Sequence, residues 1–172
     1  MSDVLATAET VVPVRDSLVQ EKGPRTELIS FAIGDEQYGV DIMAVREIKG
    51  WSDITHLPRQ PEYVRGVLNL RGIMVPIIDL RSRFGEGMTE ATPLHIVIIV
   101  QAGSGQVGLL ADRVLDIVAF ENSQVQPVPR VTEGSALSFL RGLINCEAGM
   151  IALIDIENLL ETSAVSTPAA AA

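Results

Sequence analysis

The chain repeats itself, and that duplication constrains its fold more than any single motif. Shifted by 69 residues, Gly34, Gly39, Val45, Ile48 and Pro58 fall on Gly103, Gly108, Val114, Ile117 and Pro127, and Glu47 falls on Asp116. Shifted by 76, Tyr63, Arg65, Gly66, Asn69 and Asp79 fall on Phe139, Arg141, Gly142, Asn145 and Asp155, with Val67-Leu68 facing Leu143-Ile144. The change of shift lies between Pro127 and Phe139, so an insertion within Val128 to Ser138 reads as a surface loop of the second copy. Chance produces a single glycine match. A run of Arg-Gly-apolar-apolar-Asn followed at the same distance by Asp, present twice, marks a true repeat. Each copy, about 65 residues long, is near the lower limit for burying its own core. The two are therefore expected to pack along a shared apolar seam, which is itself a candidate binding groove.

Within the copies lie short runs rich in β-formers, punctuated by Gly, Pro and Asp: Leu28 to Ile33, Tyr38 to Val40, Val67 to Leu70, Ile73 to Ile78, Ile96 to Val100, Val107 to Leu110, Val114 to Val118, Leu143 to Cys146, and Met150 to Ile154. Their spacing predicts small barrels or a sandwich. Helical signals are brief. Asp41 is placed to cap one turn through Ile42 and Val45, Asp79 a turn ending at Gly85, and Asp155 a turn over Ile156 to Leu160. No stretch keeps apolar residues at i, i+3, i+4 and i+7 for more than two turns. Residues 1–25 and 162–172 have no periodic apolar face and read as flexible tails around a folded region of 26–161, with copy one at about 27–92 and copy two at about 95–160.

Composition narrows the function. An apolar content of 47% supplies material for a globular core, yet charges or glycine interrupt even Ile96 to Leu110, so no membrane insertion is expected. The net charge of -9 repels a phosphate backbone, and with 1 Trp, 2 Tyr and 4 Phe there is little to stack on nucleobases, so nucleic acid is not an expected partner. A lone cysteine, Cys146, and no signal-like amino terminus fit a reducing cytoplasm. The cations, nearly all arginine, suit bidentate contacts with carboxylates of another protein.

Catalytic and metal patterns are missing. His56 and His95 stand apart in sequence and join no HxxxH or CxxC spacing, so neither metal nor cofactor is expected. There is no G-x-S-x-G elbow, and Cys146 reads as core filler. Gly103-Ser104-Gly105 lacks the continuation of a phosphate loop and reads as a hairpin turn, like Gly34-Asp35. Asp79 and Asp155 read as caps rather than paired catalytic carboxylates. Arg71 is different. It sits at the tip of a hairpin between Val67 to Leu70 and Ile73 to Ile78, where the second copy has Glu147-Ala148-Gly149. The turn alone does not ask for arginine, so Arg71 is a binding candidate.

Three blocks then carry a resemblance: Gly34 to Ile42 (G-D-E-Q-Y-G-V-D-I), Val45 to Gly50 (V-R-E-I-K-G), and Arg65 to Arg81 (R-G-V-L-N-L-R-G-I-M-V-P-I-I-D-L-R). Together they resemble the CheW family of chemotaxis coupling proteins, over roughly Glu27 to Leu160. The resemblance implies a mostly β fold of two pseudo-symmetric five-stranded SH3-like barrels on a common hydrophobic seam, with short helices. It implies a non-enzymatic adaptor in the cytoplasm, at the periphery of receptor arrays. Its partners would be the cytoplasmic tips of methyl-accepting chemotaxis receptors and the regulatory domain of the CheA histidine kinase. It further implies receptor contacts at Ile42, Val45, Gly66, Arg71, Val107 and Ile117, kinase contacts at Glu47, Ile48 and Trp51, and ring contacts at Gln126 and Val131. The competing readings are a small-molecule-binding β-barrel, which needs an interior cavity, and a hydrolase with a cryptic site.

Overall fold

The computed structural model describes residues 25–129 and 136–161. The first copy contributes β1 (Arg25–Ile33), β2 (Glu36–Asp41), a 3-10 turn (Ile42–Ala44), β3 (Val45–Gly50), β4 (Val64–Leu70), β5 (Ile73–Asp79) and a one-turn helix α1 (Leu80–Arg83). The second contributes β6 (Ile96–Ala102), β7 (Gly105–Ala111), β8 (Arg113–Glu121), the short β9 (Val125–Gln126), β10 (Leu140–Cys146), β11 (Gly149–Ile154) and α2 (Ile156–Glu161). The mostly β architecture in two sheets is the one the sequence called for. The capping aspartates stand where expected: Asp41 accepts from the Met43 N–H, Asp79 from the Ser82 N–H, and Asp155 from the Asn158 N–H. The tails at 1–24 and 162–172 lie outside the described residues.

The sheets do not follow the copies. One sheet runs β8-β1-β2-β11-β10-β9 and the other β3-β6-β7-β5-β4. Each therefore takes the first two strands of one copy and the last three main strands of the other. The junctions are the two parallel pairings, β2 with β11 and β5 with β7. Parallel neighbours need long connections, and here the connection is most of a repeat. This exchange ties the halves covalently and through backbone hydrogen bonds, so the seam is not a contact between two finished units.

Three apolar clusters result. Leu70, Val75, Ile77, Val97, Ile99 and Leu110 fill the five-stranded barrel. Leu28, Phe120, Ile144, Ile151 and Leu153 fill the six-stranded one. The largest, including Ile29, Phe31, Val40, Ile78, Ile98, Val100, Leu109 and Ile154, lies between the sheets. Along β6, Val97 and Ile99 point into their own barrel while Ile98 and Val100 point into the seam, which explains the unbroken apolar run Ile96 to Val100. Each side chain sealed this way stabilises the fold by roughly 1.5–3 kcal/mol. The seam interior is thus closed by side chains, and only its rim remains as the groove the repeat suggested.

Two strands went unread. The stretch predicted as a helical turn through Val45 is a 3-10 turn that stops at Ala44, and β3 begins at Val45. Its half-buried face carries Glu47 and Lys49 beside Val45, which masks the apolar alternation of an edge strand. The counterpart β8, whose centre was legible, would have located it through the repeat. β9 has only two residues and leaves no periodic signal. Cys146 also departs from expectation: it ends β10 half-buried, packed at the margin of its barrel cluster, with its thiol donating to the Gly149 carbonyl at 3.2 Å.

Candidate functional site

The two hairpins that looked equivalent turn differently. Between β4 and β5 both loop residues have positive φ, Arg71 at 50° and Gly72 at 85°, the signature of a type I′ turn. Between β10 and β11 only Gly149 is positive, at 117°. A type I′ turn favours Asn, Asp or Gly at its first position, and an arginine there is held in backbone it disfavours. The Asn69 side chain steadies the turn by accepting from the Gly72 N–H at 2.9 Å. The turn therefore does more than fail to require arginine; its geometry works against it.

The Arg71 guanidinium, with 76% of its side chain exposed, pairs with the Glu47 carboxylate on β3. Lys49 lies on the other side of Glu47, at 3.9 Å. Exposed pairs of this kind contribute at most about 1 kcal/mol to stability. The pair joins one residue expected to face receptor with one expected to face kinase, and it fastens the hairpin tip to the edge of the five-stranded sheet. Next to it in sequence, Ile48, Ile73 and Met74 are exposed.

The other expected site residues divide into a surface group and an interior group. Ile48 pairs with Ile98, which pairs with Leu109, and in the other sheet Ile117 pairs with Ile29, which pairs with Val40. These rows are repeats of one another. Each runs from an exposed isoleucine on an edge strand, 41% for Ile48 and 56% for Ile117, into the shared cluster. Ile42 and Val45 are half-buried against that cluster. Val107 belongs to it and is 7% exposed, in line with Val100 and Val45 across the sheet. Trp51 is half-buried against the five-stranded barrel, with Arg65 5.7 Å from its ring centroid. Gln126 is exposed in β9, opposite Leu143. Val131 lies outside the described residues.

Gly66 is buried at a bulge where the β4–β5 register shifts. Its φ is 144°, and a Cβ there would stand 2.2 Å from the Thr55 carbonyl oxygen. Thr55 is fixed by reciprocal backbone bonds with Val67. Gly66 and Val107 are thus both buried, one at a bulge and one in the shared cluster.

Charged groups elsewhere brace the fold. Asp79 is fully buried and accepts from Arg65 at 3.2 Å, the Thr89 N–H at 2.7 Å and the Thr89 hydroxyl at 2.6 Å. Asp112 accepts from the Gly34 N–H at 2.7 Å and Arg81 at 2.8 Å, with His95 Nε2 at 3.5 Å. Burial alone would raise the Asp112 pKa, but the hydrogen bonds from Gly34 and Arg81, with the Arg81 charge and then His95, hold it below the usual carboxylate range. The Arg83 guanidinium lies 4.4 Å from the Tyr63 ring centroid and 4.0 Å from that of Phe139, the same position in the two copies. Among the described residues no group of His, Cys, Asp and Glu could hold a metal, and no helix is long and apolar enough to cross a membrane.

Filled barrels, exposed apolar edge strands and a charge pair at the hairpin tip make this a double β module whose distinctive groups lie at its surface. The comparisons with known proteins make this specific. The family model of the CheW-like domain matches residues 27–164. The chain is 43% identical over 133 residues to the chemotaxis protein CheW of Rhizobium meliloti, covering 77% of this chain and 86% of that one. It is 37% identical over 136 residues to the CheW of Klebsiella aerogenes, covering 79% and 82%. The crystal structure of the scaffolding protein TtCheW from Thermoanaerobacter tengcongensis superposes with a TM-score of 0.72 at 31% identity, covering 81% of this chain and 91% of that one. The chain belongs to the CheW family of chemotaxis scaffold proteins.

Proposed function

We propose that this protein is a non-enzymatic adaptor that couples cytoplasmic chemoreceptor tips to the regulatory domain of the CheA histidine kinase and helps assemble their arrays. The observation that carries the reading is Arg71. An exposed arginine sits in a turn whose backbone disfavours it, and its partner Glu47 lies on an edge strand beside exposed Ile48. Surfaces that bind through a desolvated, charge-assisted anchor have this composition. Ile117 offers the equivalent apolar edge on the other sheet, so two related edges are available for two partners. Because those edges differ in charge, contacts between them and neighbours are heterologous and can close into rings. The ligand-barrel reading loses support because both barrel interiors are filled, with Val75, Ile77, Ile99, Leu28 and Ile151 sealed from solvent.

The test is reconstitution of receptor fragments, CheA and this protein with Arg71→Ala, Arg71→Asn and the wild type. Folding stability is expected to change by less than about 0.5 kcal/mol, since the site is exposed. Array formation and kinase activation are expected to fall steeply, by the roughly 2 kcal/mol that loss of a buried anchor costs on binding. Asn relaxes the turn, so it separates backbone strain from side-chain binding. Full kinase activation with both variants would refute the assignment.

A further inference from the structure

We propose that a second groove, on the six-stranded sheet, docks a basic segment of a partner protein in which arginine alternates with apolar residues. This surface is distinct from the Arg71–Glu47 edge and goes beyond the adaptor reading above. The groove, about 600 Å3 in volume, runs between the β1–β2 turn with β2 and the β10–β11 hairpin. Tyr38 lines it but is itself buried, at 6% exposure, and stacks on half-buried Phe84 with ring centroids 4.8 Å apart and an 18° interplanar angle. Leu143 and half-exposed Met150 supply an apolar surface opposite.

The rim is acidic. Asp35, Glu36 and Glu86 are all exposed and line the groove, and among the described residues none of them has an ion-pair partner. Glu36 receives one hydrogen bond, from the Tyr38 hydroxyl at 2.7 Å. Burial first, then Glu36 and Glu86, push the Tyr38 pKa upward, so both carboxylates lie close to its hydroxyl end of the groove. An arginine side chain suits this combination: its guanidinium pairs bidentately with carboxylate while its methylene stem lies on the apolar surface beside it. Methionine adapts its shape to a flanking apolar residue.

The duplication supplies an internal control. The positions equivalent to Asp35, Glu36, Tyr38 and Phe84 in the other copy are Ser104, Gly105, Val107 and Leu160. The same backbone plan is thus built there without the exposed carboxylates, so the β1–β2 turn itself does not demand Asp35 and Glu36.

The probe is a fluorescein-labelled peptide alternating leucine and arginine, titrated by anisotropy against the full chain, with a leucine–glutamine peptide as reference. Saturable binding of the arginine peptide is expected, with amide shifts centred on Gln37, Leu143 and Met150. The double variant Asp35→Lys/Glu86→Lys is expected to weaken it about tenfold or more at unchanged thermal midpoint. Asp53→Lys/Glu62→Lys, which makes the same charge change away from the groove, is expected to bind nearly as the wild type does. Equal weakening by the two double variants would overturn the proposal, because it would mean attraction to net charge alone. Amide shifts centred elsewhere would also overturn it. So would concentration-dependent self-association in sedimentation that the groove variant abolishes, since the occupant would then be a second copy.

Discussion

The β4–β5–α1 unit and its duplicate β10–β11–α2 share one backbone plan and place their charges oppositely. In the first, Asp79 is buried and fastened by Arg65 and Thr89. In the second, Asp155 is half-exposed, Arg141 is exposed, and no ion pair joins them among the described residues. The first hairpin tip carries Arg71 in a type I′ turn and the second carries Glu147 in a turn that needs positive φ only at Gly149. Duplication kept the strands, caps and bulges, which fold either copy. The lesson is that equivalent positions in a pseudo-symmetric fold need not carry equivalent energies.

The largest expected effect comes from the bulge glycines. Gly66→Ala is expected to lower stability by roughly 3 kcal/mol, because the new Cβ meets a carbonyl oxygen locked in a backbone bridge and φ is unfavourable. At Gly142 the added Cβ meets the Val125 side chain at 2.3 Å and the Gln126 carbonyl at 2.8 Å. Those residues belong to a two-residue edge strand, so Gly142→Ala is expected to cost about half as much. Urea unfolding of the two variants side by side checks this; equal losses would mean that β9 is as rigid as the Thr55 bridge.

Next come the paired aspartates. Asp79→Asn leaves the Arg65 guanidinium without its counter-charge and is expected to cost about 2–3 kcal/mol. Asp155→Asn keeps an adequate cap and is expected to cost about 0.5 kcal/mol or less. Thermal unfolding that ranks them the other way would reverse the comparison.

The smallest effect concerns Asp112, whose counterpart under the first shift is exposed Met43. The folded-state pKa of Asp112 is lowered from its ordinary 3.8. A depressed carboxylate pKa contributes stability that is present above the unfolded value and lost as pH falls through the folded one. Asp112→Asn is therefore expected to cost under about 1 kcal/mol at neutral pH, and the gap from wild type should narrow below about pH 4. Stability curves of both proteins against pH test the sign. A gap that widens in acid would show that the Gly34 and Arg81 contacts favour the neutral carboxyl.

The sequence by itself determined a good deal. The two shifts exposed the duplication, the β-rich runs placed nine of the strands, and Asp41, Asp79 and Asp155 announced their turns, because each of these is written in local patterns of pleat, cap and glycine. Arg71 stood out by comparison of the copies alone. Other features waited for the tertiary structure. The exchange of strands between sheets, the pairing of Arg71 with Glu47 across the barrel closure, and the burial of Gly66 and Val107 depend on which distant strands become neighbours. Local periodicity tells a strand which face is apolar; it does not tell the strand whose apolar face it will meet. That choice belongs to the packing of the whole chain, in which side chains of both copies fill the shared seam.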